Sequence, residues 1–263
     1  MTEQPILLID DPAPHIRRLT LNRPEKRNAL SKAVLDEIGA VFKAHASDET
    51  LVAATIMGAG ERCFAAGGDL KEFDGLRSRD AVADMTTGAS AALDAIRDFP
   101  VPVIALLNGD ALGGGAELAV ACDMRVFASH SRMAFVQGTL CISPAWGGGA
   151  DLVRLVGGSR ALRLLATAEM LDGPAALAIG LADAVAGTDL SFAEYTAKFL
   201  APIAARKPQV MRAFKALVAA ARNNPDRATL RALETESLIA TWLHQDHWDA
   251  AEQVLARIAG AAR

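Results

Sequence analysis

Gly113, Gly114 and Gly115, followed by Glu117, are the residues of this chain whose types and spacing point most directly to chemistry. They sit in the run Asn108 to Asp123, NGDALGGGAELAVACD. Glycine lets the backbone bend freely and lets a ligand come close to the main chain. The first N–H groups of a helix starting here would lack partners, and the helix end carries partial positive charge. N–H groups converging on one point suit an oxygen on which negative charge develops. Glu117 falls on the first turn of that helix, where the dipole favours a carboxylate. The same pattern also fits a tight turn that needs glycine for geometry alone, with Glu117 an ordinary helix-start acid.

A second turn of the same kind lies upstream, in CFAAGGDLKEF from Cys63 to Phe73. Asp69 reads as the N-cap of a following helix, with Glu72 three residues on as in a capping box. Two such turns can supply one N–H each to a single carbonyl oxygen.

Each glycine turn needs a strand to deliver it and a helix to receive it. Val101 to Leu107 is apolar and rich in branched residues, as in a buried strand. Leu51 to Met57 plays that part for the upstream turn. Ala116 to Cys122 are good helix formers. Ile6–Ile9 and His15–Leu21 flank Asp10 to Pro14 and read as a hairpin with a turn longer than two residues. Asn22 to Asn28 is a polar loop, and Ser31 caps a helix through about Ala46. From Leu70 to Phe99 the pattern is helical but polar, interrupted at Gly75 and at Thr86-Thr87-Gly88, as in a wall for a substrate chain. Met124–Phe127 and Arg132–Val136 are strand-like. This rhythm fits either a layered spiral of short strands or a doubly wound sheet. Four helices follow: Phe192–Ala205, Pro208–Arg222, Asp226–Leu243 and Asp246–Ala259. Lys207-Pro208, Asn224-Pro225 and a His-containing turn divide them.

The 263 residues are 51% hydrophobic, enough for one large domain or a domain with an appendage. A net charge of −4 gives no reason to expect nucleic acid or an anionic membrane as partner. Cys63, Cys122 and Cys141 are far apart, without disulfide-like or metal-like spacing, so a reducing cytoplasmic setting is expected. Met1 to Pro5 lack the basic and apolar regions of a signal peptide. No apolar run reaches the roughly 20 residues that span a bilayer. His244 and His247 lack a third ligand, so no metal site is expected. Cys141 reads as a buried structural thiol.

CFAAGGDLKEF and NGDALGGGAELAVACD together resemble the crotonase (enoyl-CoA hydratase/isomerase) superfamily. So do NRPEKRNAL at Asn22–Leu30 and GLADAV at Gly180–Val185, and the likeness runs in order along nearly the whole chain. The resemblance implies an α/β fold: a crotonase-like spiral of repeated ββα units with an acyl-CoA site over residues 1–190. It implies a helical C-terminal oligomerisation subdomain over residues 191–263, assembling a homotrimer or hexamer. Coenzyme A enters as part of the substrate, with no permanently bound cofactor. By position, the N–H groups of Gly68 and Gly114 hold the thioester carbonyl, and Glu117 is the acid/base residue. Lys26, Arg27, Ala29, Ala66, Asp69 and Leu70 fall where the family contacts coenzyme A. Arg257 and Arg263 are further candidates for its phosphates.

One position departs from the family pattern. Where hydratases carry a second glutamate, this chain has Thr139, which exchanges hydrogen bonds but is no general base at neutral pH without activation. The following SPAWGGG, with ALRLLATAEMLDGPAALAIGLAD, looks closer to the ethylmalonyl-CoA decarboxylase branch. Three readings follow: an acyl-CoA enzyme of the hydratase/isomerase type, a decarboxylase of a malonyl-type CoA, and a catalytically silent CoA-binding or assembly protein.

Overall fold

The computed structural model describes residues 4–223 and 225–261. The chain opens with an antiparallel pair, β1 (Leu7–Ala13) and β2 (Ile16–Leu21). Helix α1 (Lys32–His45) begins where Ser31 accepts a hydrogen bond from the Val34 N–H and buries Val34, Leu35, Ile38 and Phe42. A repeated unit then starts: β3 (Ala53–Gly58) and β4 (Cys63–Ala65), followed by α2 (Leu70–Phe73) and α3 (Arg79–Arg97). It recurs as β5 (Val103–Leu107), β6 (Asp110–Leu112) and α4 (Gly114–Ala121). It recurs again as β7 (Met124–Phe127) and β8 (Arg132–Ala134), with α5 (Gly148–Val156) and α6 (Gly158–Thr167). The spiral closes with β9 (Leu171–Asp172), α7 (Gly173–Ala178) and β10 (Ala184–Val185).

The two strands of each unit go to different sheets. The first sheet runs β1-β2-β3-β5-β7-β10 and the second β4-β6-β8-β9. From β2 to β10 the first sheet pairs in parallel. All five residues of β5 are buried, as a parallel strand covered on both faces requires. The chain therefore climbs as ββα turns, the spiral that the resemblance implied.

Several elements differ from expectation for local reasons. Pro12 does not end β1. It falls where the register shifts between Asp10 and Ala13, a place on an edge strand that tolerates a residue without an N–H. The hairpin turn is thus only Pro14-His15, with His15 at φ 65°. Strand β6 has three residues and lies inside the glycine run, where apolar periodicity is too short to show it. Helix α3 runs unbroken through Thr86-Thr87-Gly88.

The C-terminal helices are α8 (Phe192–Ala204), α9 (Pro208–Arg222), α10 (Arg227–Trp242) and α11 (Gln245–Ala261). Ser191 and Glu194 form a capping box at α8. Helix α9 is fixed to the spiral by Lys215, whose ammonium lies 2.6 Å from the Asp123 carboxylate, with Arg222 at 2.7 Å on the same group. Helix α10 buries no residue, and Leu238, Trp242, Leu243 and Leu255 are exposed. Asn224 of the expected Asn224-Pro225 break, Met1 to Glu3 of the expected leader-free start, and Arg263 lie outside the described residues. No helix of the described residues is long and apolar enough to cross a membrane.

Candidate functional site

The two glycine turns meet. Each follows the second strand of a ββα unit, and β4 pairs in parallel with β6, so the two chains leave the small sheet side by side. Contact is close enough to exclude side chains: a Cβ on Gly115 would lie 2.1 Å from the Ala65 carbonyl oxygen. At Gly67, φ 99°, a Cβ would lie 2.9 Å from the Leu112 carbonyl oxygen and 3.3 Å from the Gly114 nitrogen. Gly114 is the first residue of α4, and Gly68 precedes Asp69, the N-cap residue of α2. Neither N–H donates to an acceptor among the described residues. The site therefore offers two neighbouring free donors, one from each turn.

Two aromatic rings flank them. A Cβ on Gly114 would meet the Trp146 ring at 2.3 Å, and one on Gly68 would meet Phe73 at 2.9 Å and Trp146 at 3.6 Å. The Trp146 indole thus bridges the two turns. Nothing in the SPAWGGG stretch itself assigns Trp146 this place, because only the fold brings it to Gly114.

Glu117 is 2% exposed on the all-buried helix α4. One oxygen accepts from the backbone N–H groups of Trp146 (2.9 Å) and Gly148 (3.2 Å), the other from the Gln137 side-chain amide (3.1 Å). Burial pushes the Glu117 carboxyl above its ordinary range, and these three donors and the Arg97 charge only partly offset it. A carboxyl raised in this way is better suited than an ordinary one to take and return a proton. Arg97 reaches this loop from α3: it donates to the Trp146 carbonyl at 3.1 Å and to the buried Asp151 carboxylate at 2.8 Å.

Gln137 stands where a partner for Glu117 was sought at Thr139. Thr139 is exposed, and its hydroxyl donates to the Val136 carbonyl at 2.7 Å. Gln137 is buried, and its Oε1 has no hydrogen-bond partner among the described residues. The residue two positions upstream of the expected one therefore carries the polar contact, since the short 3-10 turn Val136–Leu140 points alternate side chains in different directions.

The loop Asn22–Ala29 is tied to the upstream glycine turn. Arg23 donates to the Ala29 carbonyl at 2.7 Å and to Asp69 at 3.0 Å. The expected capping box is absent for this reason: Asp69 sits at the N-cap position of α2 but bonds Arg23, and Glu72 accepts from the Lys32 N–H instead. Buried Asn28 spans the Ala59 and Cys63 carbonyls. Arg23 and Asn28 were not singled out from sequence, because Asp69, Ala59 and Cys63 lie 31 to 46 residues away from them. Lys26 and Arg27 are exposed and form no ion pair among the described residues, Ala29 and Ala66 are half-buried, and Leu70 is exposed. Arg27 and Arg62 line a cleft of about 580 Å³ with His130 and Arg132. Arg132 is matched by Asp110, while Arg27 and Arg62 form no ion pair among the described residues; Glu61 lines the same cleft.

Three further candidates fall elsewhere. Cys141 is exposed in a left-handed turn at φ 58°, not buried as expected, because it follows the 3-10 turn on the surface. His247 stacks on Trp242 with centroids 4.4 Å apart, and no group of three His, Cys, Asp or Glu side chains among the described residues is placed to hold a metal. Arg257 is exposed on α11 and donates to the Gln253 carbonyl.

With this geometry in hand, comparison with known proteins is decisive on the class. The chain belongs to the enoyl-CoA hydratase/isomerase family, the crotonase superfamily, whose model matches residues 13–253. A probable enoyl-CoA hydratase of Bacillus subtilis is 33% identical over 193 residues, 73% of this chain and 74% of that protein. The 2,3-dehydroadipyl-CoA hydratase of Escherichia coli is 35% identical over 75% of each. Mouse mitochondrial methylglutaconyl-CoA hydratase is 40% identical over 62% of this chain and 52% of its own length. The crystal structure of an enoyl-CoA hydratase from Bacillus anthracis superposes with a TM-score of 0.89 at 29% identity, covering 96% of this chain and 97% of the other. The protein is thus an acyl-CoA enzyme of the hydratase/isomerase type.

Proposed function

We propose that the N–H groups of Gly68 and Gly114 hold the carbonyl oxygen of an acyl-CoA thioester, and that Glu117 carries the proton at the α or β carbon. The observation that carries this reading is the pair of unpartnered donors, one from each glycine turn, of which Gly114 opens the helix that also bears the buried Glu117. As charge moves onto the thioester oxygen, two fixed dipoles stabilise it without reorganising. Hydration of a 2-enoyl thioester is the favoured reaction. Gln137 Oε1 is a buried acceptor with no donor, next to a carboxylate that it orients. A water molecule can donate to both, and Glu117 then takes its proton as the oxygen attacks.

Decarboxylation of a malonyl-type thioester is the second reading. It is favoured by the single carboxylate, since loss of carbon dioxide forms the enolate without a base. A substrate carboxylate would, however, meet an acceptor at Gln137 Oε1 and like charge at Glu117. Coenzyme A is assigned to the loop of Lys26, Arg27 and Ala29 and to the turn of Ala66, Asp69 and Leu70, its phosphates drawn by unpaired Arg27 and Arg62. Residues 1–190 form the site-bearing core and 191–263 the oligomerisation subdomain. The exposed apolar faces of α10 and α11 support a trimer or hexamer, and the net charge and free cysteines a cytoplasmic setting.

The test is spectroscopic and kinetic. Any side chain at 114 collides with Trp146, so substitution there cannot isolate the N–H. The infrared carbonyl band of bound ¹³C-labelled crotonyl-CoA reports it directly. A band shifted to lower frequency than in water is expected, and an unshifted band refutes the donor pair. Turnover of crotonyl-CoA but not ethylmalonyl-CoA is expected, and the reverse selects the decarboxylase.

A further inference from the structure

Glycine leaves the two turns without side chains to pin them. Gly113, Gly114 and Gly115 are consecutive, as are Gly67 and Gly68, and no residue has wider backbone freedom than glycine. The direction of an N–H follows the backbone angles, so a group outside the turns has to fix where the two free donors aim. One side chain stands in the space that a Cβ would fill on both. The Trp146 ring comes within 2.3, 2.7 and 3.1 Å of that position at Gly114, through Cζ3, Cη2 and Cε3, and within 3.6 Å of it at Gly68, through Cη2. All three atoms belong to the outer, six-membered ring. Trp146 is 6% exposed and packed into the core, so the indole has no room to retreat. Its main chain is held on both sides: the N–H donates to Glu117, and the carbonyl accepts from Arg97.

Resting on the thioester site proposed above, we infer that Trp146 is a positioning residue whose ring keeps the Gly68 and Gly114 N–H groups aimed at one oxygen and keeps water off them. Donors fixed in advance need no reorganisation as charge develops, and a hydrogen bond in a dry site is stronger than the same bond in water. Trp146 thus serves the two halves of the site with different parts: the ring acts on the donors, the backbone N–H on Glu117. Substituting the side chain separates them, because the backbone N–H remains.

Trp146→Phe and Trp146→Leu in the full chain provide the test. Phenylalanine falls short of the Cη2 position and releases the Gly68 turn first; leucine releases both. The readouts are the infrared carbonyl band of bound ¹³C-labelled crotonyl-CoA, and kcat, KM and the pH profile with the better of crotonyl- and ethylmalonyl-CoA. Loss of one such donor outright costs ~10²–10³ in kcat, and two misaimed donors cost at least about tenfold. In Trp146→Leu the band therefore moves at least halfway back to its position in water, and kcat falls by that factor. KM stays within about threefold, and the rising limb of kcat/KM against pH keeps its place because Glu117 keeps its main-chain donors. Trp146→Phe falls between the native protein and Trp146→Leu. A folded Trp146→Leu with the native band and kcat overturns the assignment. A fall in kcat with the band unmoved, or a displaced limb, places the effect at Glu117 or in the fold and overturns it as well. Where leucine gives no folded protein, Trp146→Phe decides alone, and a native band in it refutes the role. A band unshifted in the native protein is a different result: it refutes the donor pair itself, and this role with it.

Discussion

Replacing Arg97 with leucine separates support of the fold from control of Glu117. Arg97 is distant in sequence from every group of the site, yet it joins three of them. Its guanidinium donates to Asp151 and to the Trp146 carbonyl, and Trp146 in turn donates its N–H to Glu117. Both ion-pair partners are largely buried, with side chains 13% and 9% exposed. Loss of the arginine strips Asp151 of its main partner, leaving only the half-exposed Arg154 at 3.3 Å. Charge-assisted hydrogen bonds contribute roughly 1.5–3 kcal/mol each, and a stranded buried charge adds to the loss. The expected destabilisation is about 3 kcal/mol, a fall in Tm of roughly 6–12 °C for a chain of this length.

The second effect is electrostatic. The Arg97 charge holds the Glu117 pKa down against burial, so its removal moves that pKa further up. A general base works as the carboxylate, and the rising limb of kcat/KM against pH follows its pKa. That limb moves to higher pH in Arg97→Leu, and kcat falls about tenfold to a hundredfold as the Trp146–Gly148 loop loses its anchor. Adding Asp151→Asn to Arg97→Leu removes the stranded charge. Stability then recovers in part, while the limb stays displaced. Arg97→Lys keeps a charge but cannot reach the Asp151 carboxylate and the Trp146 carbonyl from one fork, so it restores the limb better than the stability. Thermal melts and pH–rate profiles on the four proteins measure both. A pH limb in Arg97→Leu that coincides with the native one, whatever happens to Tm, refutes the electrostatic link.

Two other outcomes are expected. Glu117→Gln keeps shape and an oxygen for the Trp146 and Gly148 N–H groups but cannot titrate, so turnover falls roughly 10²–10⁴-fold while the affinity for a saturated acyl-CoA stays within a factor of two; unchanged turnover assigns the proton to another group. Sedimentation at micromolar concentration shows a trimer or its double, since α10 leaves Leu238, Trp242 and Leu243 uncovered on the single chain; a monomer alone refutes the assembly.

Elements governed by neighbouring residues were legible. The Ser31 cap and the apolar stripe of α1 fixed that helix to within a residue at each end, and Pro208 opens α9 where a first-turn proline belongs. Legibility failed where a distant partner outbid the local one. Asp69 and Glu72 have the spacing of a capping box, but Arg23 and the Lys32 N–H reach them first across the fold. The hairpin turn was misjudged because proline signals a turn from sequence, whereas at a bulge on an edge strand it simply lies in the strand.

The position expected to matter at 139 shows the same limit from the other side. The family resemblance sets Thr139 opposite Glu117, but side-chain direction through a tight turn depends on backbone angles that a matched position does not encode. The fold puts Gln137 there instead, and the substitution has a physical consequence under the proposed mechanism. A second carboxylate beside Glu117 would raise its pKa further and would oppose the negative charge growing on the thioester oxygen. A neutral amide does neither. It lends Glu117 a donor, keeps an acceptor free for water, and leaves the charge of the site to one carboxylate balanced by Arg97. This arrangement trades the stronger activation of water that two carboxylates give for less repulsion of the enolate. Its efficiency therefore rests on how firmly the loop from Trp146 to Gly148 holds Glu117 in place.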